Sequence, residues 1–135
     1  RNQFVSVNFE WNSGDWCLGV RADDESSSSA CDCTITDAEH SSACVMDGIL
    51  RVVSVGNLNH PEVLASSSTL GGDDNNLVFE PIRGLILGNE NANLQFLSQP
   101  EGFYALNLEL LVTGRINICS DLGRGSIAVP RFESC

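Results

Sequence analysis

The chain contains no lysine: its seven basic residues are all arginine and face 18 acids, for a formal net charge of -11. So little positive charge argues against general binding to nucleic acid or to an anionic bilayer, because both need phosphates to be neutralised. Histidine is almost as scarce. His40 and His60 sit in no nucleophile or metalloprotease pattern, so the chain is read as non-enzymatic, with no cofactor. No run of 18 apolar residues is present to span a bilayer as a helix. No stretch keeps a 3.6-residue period over ten residues, which argues against a helical fold, and there is no internal repeat.

What is present points to one folded unit. A length of 135 residues suits a single domain, 1–135, able to bury roughly two-thirds of its unfolded surface. With 42% hydrophobic and only 19% charged residues, the chain is not of disordered composition. Cys17, Cys31, Cys33, Cys44, Cys119 and Cys135 make an even set of six, which in a chain this small indicates disulfides and an oxidising compartment.

Strand signals dominate. Val5, Val7, Phe9 and Trp11 alternate with Ser6, Asn8 and Glu10, the period-2 pattern of a half-buried strand over Gln3 to Trp11. A four-residue loop from Asn12 to Asp15 then leads into a strand with Trp16, Leu18 and Val20 on one face, predicting a hairpin. Cys31, Cys33 and Ile35 share one face of a short extended piece, and Asp47-Gly48 marks a tight turn into a strand from Ile49 to Val55. The segments Asn57 to Ser68 and Gly71 to Asn76 read as irregular connectors. Further strands are expected at Leu77 to Phe79, Leu85 to Leu87, Leu94 to Leu97, Tyr104 to Val112 and Arg115 to Cys119. A weaker final strand, Gly125 to Phe132, is confined to an edge by Pro130. The sum is a mainly β, antiparallel two-sheet domain.

Two groups of residues have ligand chemistry. Cys31, Cys33, His40 and Cys44 are zinc-type ligands, but Cys-x-Cys is tighter than a zinc knuckle, so a disulfide cluster is preferred. Asp23-Asp24-Glu25 and Asp73-Asp74-Asn75-Asn76 offer oxygens suited to calcium without the spacing of a calcium loop, and are read as solvated loops. No metal is therefore expected.

The last 22 residues differ from the rest. From Gly114 to Cys135, Arg115, Arg124 and Arg131 stand against Asp121 and Glu133, so this segment sums to +1 and the remainder to -12. A Cys119–Cys135 bond would close a loop of about 15 residues, restrict the unfolded chain by about 3 kcal/mol and pin the last residues. For the other four cysteines, spacing allows Cys17–Cys31 with Cys33–Cys44, and equally Cys17–Cys33 with Cys31–Cys44.

Leu77-Val-Phe-Glu-Pro81-Ile-Arg-Gly84, then a long strand, then Gly114-Arg-Ile-Asn-Ile-Cys119 and a closing cysteine resembles the C-terminal half of the GspH/FimT family of minor pilins and pseudopilins. Asp15-Trp-Cys-Leu-Gly-Val20 is similar to that family's Trp-containing second strand. The resemblance implies a non-catalytic periplasmic head whose long apolar N-terminal helix, the inner-membrane anchor and filament core, would end near Arg1-Asn2-Gln3. It implies other minor and major pilins as partners, at the assembly or tip of a type IV pilus. It leaves the type II secretion pseudopilus as an alternative. Some members bind DNA through Gly-Arg-x-Arg; here that stretch is Gly114-Arg115-Ile116-Asn117, so Asn117 replaces the second arginine and weak DNA binding would rest on Arg115, Arg124 and Arg131. A secreted cysteine-rich binding module is the reading from outside the family.

Overall fold

A computed structural model describes residues 3–12, 15–23, 31–54, 63–68, 76–87, 91–98, 104–123 and 127–135. Ten strands carry the fold: β1 Phe4–Asn12, β2 Asp15–Asp23, β3 Val45–Met46, β4 Ile49–Leu50, β5 Val52–Ser54, β6 Val63–Ser68, β7 Asn76–Phe79, β8 Ala92–Ser98, β9 Ala105–Leu110 and β10 Ile116–Ser120. No helix occurs among the described residues. The first sheet has the order β5-β2-β1-β7, the second β10-β9-β8-β6, and β3 with β4 forms a small separate hairpin. All these strand pairs are antiparallel, so the chain is mainly β with two antiparallel sheets.

The period-2 pattern decides which faces meet. Val7 pairs with Val20 and Leu77, and Phe9 pairs with Leu18, which puts the apolar half of the first sheet on one side. In the second sheet, Leu94 pairs with Leu108 and Phe96 with Leu106. These faces share one core built on Phe9, Ala65, Leu77, Ile86, Ala92, Leu94 and Leu110. Phe9 is 0% exposed. Its ring centroid lies 6.1 Å from Trp16 and 6.2 Å from Phe96, and Trp16 lies 5.2 Å from Phe96 in an edge arrangement. The Trp16 indole N–H is not left bare: it donates to the Val63 carbonyl at 3.1 Å, tying β2 to β6 across the two sheets.

Several expected elements change shape. Pairing in the first hairpin continues to Asn12↔Asp15, so both residues expected in the loop belong to the strands. The Asp47-Gly48 turn forms as read, with φ of 53° and 73°, the left-handed pair that joins a tight hairpin. The strand expected from Ile49 to Val55 divides at Arg51, where the chain leaves β3 and pairs with β2 instead.

The connector expected over Asn57 to Ser68 contains β6, Val63–Ser68. Its serines carry no strand signal; the ladder to β8 stabilises it, with a register shift between Ala65 and Ser67. Leu85 to Leu87 is reduced to a bridge between Ile86 and Phe79, and the final strand expected over Gly125 to Phe132 is not formed among the described residues. Pro130 has no N–H to donate, and Arg131, at φ 76°, turns the backbone out of the extended region.

Candidate functional site

The six cysteines form three disulfides: Cys17–Cys33, Cys31–Cys44 and Cys119–Cys135. Of the two pairings left open for the first four cysteines, the structure adopts the second. No thiol remains for zinc, and exposed His40 uses Nδ1 to accept from the Ser42 amide at 3.2 Å. Three disulfides suit an oxidising, extracytoplasmic compartment.

The first two disulfides make a cap on the outer face of the first sheet. Cys17, Cys31, Cys33 and Cys44 form a buried cluster against Val52. Beneath it lies Gly19, where a Cβ would stand 2.8 Å from Cys44 Cβ and 2.9 Å from Cys33 Cβ. The missing side chain of Gly19 is what lets the two disulfides seat. Between this cap and β2, Arg21, His40, Ser41 and Asp47 line a polar cleft of about 350 Å³, with Arg21 donating to the Ser41 carbonyl at 2.8 Å. The same face presents Glu10, whose carboxyl is pushed above the usual range by burial and then by the Asp32 charge.

The third disulfide fastens the C-terminal segment to the edge of the second sheet. The Ser120 N–H donates to the Glu133 carbonyl at 2.7 Å, and the Cys135 N–H donates to the Ser120 carbonyl at 3.0 Å. Asp121 holds the root of the segment, accepting from Gln95 at 2.6 Å and from the Gly123 amide at 2.8 Å. Replacing Cys119 and Cys135 together by serine is expected to cost up to about 3 kcal/mol. A urea titration reads this cost, and faster hydrogen exchange at the Ser120 amide locates it.

The two motif halves, 30 residues apart in sequence, meet in space. Gly84 and Gly114 both have positive φ, 66° and 75°, and a Cβ on Gly114 would lie 2.5 Å from the Gly84 carbonyl oxygen. Two residues further on, the Ile86 N–H donates to the Val112 carbonyl at 3.1 Å. The Pro81–Gly84 turn and the Gly114-Arg115 turn are therefore one backbone junction, which only glycine at position 114 permits.

Beyond this junction, β10 is an edge strand whose apolar side chains are uncovered. Ile116 pairs with Leu110 and Ile118 with Leu108, so both point to the same side as the core residues of β9, yet they are 60% and 44% exposed. Leu122, Ile127 and Phe132 add exposed apolar surface in the same part of the chain. A second cleft, this one apolar and of about 270 Å³, lies between Val63, Phe96, Tyr104, Leu106, Val129 and Pro130.

Of the three arginines expected to attract an anion, Arg115 and Arg131 are exposed and have no acidic partner among the described residues. Arg124 lies outside the described residues. Asp23 ends β2, whereas Asp24, Glu25 and Asp73 to Asn75 lie outside the described residues. The reading of the sequence did not single out Asn8. A polar residue on the solvent side of an alternating strand gives no sign that the fold will bury it.

No family model, curated protein or solved structure matches the chain.

Proposed function

We propose that the protein is a non-enzymatic assembly subunit, a minor pilin of the GspH/FimT type acting at the assembly or tip of a type IV pilus. The observation that supports this reading is the Gly84–Gly114 junction. It gives a physical reason for the two motif halves to occur together in one chain, since the backbone carbonyl of the first turn leaves no room for a side chain at Gly114 in the second. Exposed Ile116 and Ile118 are the second support: an apolar sheet face that stops short of its cover suits a head that works against neighbouring subunits. The partners are other pilins, and the membrane anchor is an apolar helix ahead of Arg1.

The complete coding sequence tests this directly. A prepilin cleavage site followed by an apolar helix upstream of Arg1 is the expected result, and any other upstream sequence ends the reading. Neighbouring pilus genes would keep the type IV assignment, whereas neighbouring secretion genes would move the subunit to the pseudopilus.

Exposed Arg115 and Arg131, without an acidic partner among the described residues, favour a second reading, weak capture of DNA by the C-terminal segment. With two or three phosphates neutralised, log K should fall with log salt at a slope of about -2 to -3. A gel shift at low salt should therefore retard duplex DNA, and replacing both arginines by alanine should abolish the retardation. No retardation by the unaltered protein at high micromolar concentration removes this reading.

A further inference from the structure

We propose that Asn8, Glu10, Asp32 and Asn76 form a calcium site on the outer face of the first sheet, beside the disulfide cap. Asn8 is 2% exposed and lies directly opposite Asn76 in the β1–β7 register, so the two side chains leave the sheet on one face with Cβ atoms about 5 Å apart. The Oδ1 atoms of both are buried and neither has a hydrogen-bond donor among the described residues. Two bare amide oxygens side by side are unfavourable.

Glu10 follows Asn8 on the same face, about 7 Å along the strand. Asp32, held between disulfide-bonded Cys31 and Cys33, lies near enough for its charge to act on Glu10. Thr34 fixes its Oδ1 through the amide at 2.8 Å and the hydroxyl at 2.6 Å, while Oδ2 has no partner among the described residues. The set supplies two neutral carbonyl oxygens and two carboxylates, with neither sulfur nor imidazole. Such hard, flexible oxygen donors suit calcium, with water filling the remaining positions. A cation there would satisfy both amide oxygens and relieve the repulsion between the carboxylates. Strand pairing, not a ligand loop, brings the donors together, which explains why the sequence shows no calcium-loop spacing.

Thermal melts of the protein in 10 mM calcium chloride against EDTA, at matched ionic strength, test the site. With a dissociation constant of about 1 mM, as in extracellular modules, the folding equilibrium should shift about elevenfold toward the native state. That shift raises Tm by about 5 °C. Glu10→Gln, an exposed position that should fold normally, should remove the calcium-dependent rise. Glu133→Gln, which removes the same charge elsewhere, should keep it. Absence of a rise, an equal rise in Glu10→Gln, or a rise reproduced by sodium chloride would overturn the proposal.

Discussion

Replacing Phe9 by alanine will destabilise the protein by about 3–5 kcal/mol, the range for removing a fully buried aromatic ring. The effect should lie at the upper end because Phe9 contacts both sheets. Its ring lies within about 6 Å of Trp11 and Trp16 on its own sheet and of Phe96 on the other. Those neighbours are held by their own strands, so the cavity cannot collapse cheaply. Urea unfolding followed by tryptophan fluorescence reads the loss, since the Trp16 ring lies 6.1 Å from the ring that is removed. Phe9→Leu, which keeps most of the volume, should cost less than half as much.

Gly19→Val should have an effect of similar scale by the opposite mechanism, inserting atoms where there is no space. The first added carbon already falls within 2.9 Å of Cys33 and 2.8 Å of Cys44, atoms held by disulfides and unable to swing aside. Overpacking typically costs about 1–3 kcal/mol, and contacts this short belong at the upper end of that range. The cap must lift from β2 or one disulfide must fail to close. Thiol titration of the purified variant distinguishes the two, with free thiols indicating the second. Native stability together with three closed disulfides would show that the cap does not rest on Gly19.

Much of this architecture is legible from alternation. Val5 to Trp11, Trp16 to Val20 and Tyr104 to Val112 each repeat every two residues; the first two become strands over their whole length and the third over Ala105–Leu110, with Tyr104 left exposed and Val112 in a turn. Asp47-Gly48 is equally legible, because few residues tolerate the left-handed conformation that a two-residue hairpin demands. The elements that were misread are those whose structure depends on a neighbour. β6 is a strand because β8 supplies its ladder, and its serines alone favour a loop. The final strand does not form among the described residues because a disulfide and the Ser120 hydrogen bonds hold the segment by its end, leaving Pro130 and Arg131 free to turn.

The candidate sites divide in the same way. That the C-terminal segment sums to +1 while the remainder sums to -12 is a property of composition, as is the even count of cysteines. That Gly84 touches Gly114, that Asn8 faces Asn76 on the outer face of the first sheet, and that Ile116 and Ile118 overhang the core are properties of register.

Alone, the order of residues determined the strand periods, the tight turn and the presence of enough sulfur for three cross-links, because these depend on steric preferences of a few adjacent residues. Tertiary structure decided which cysteines join, which polar side chains are buried without a partner and which apolar ones stay exposed. Those outcomes depend on which strands become neighbours, and a shift of one residue in any ladder would turn each of these side chains to the opposite face.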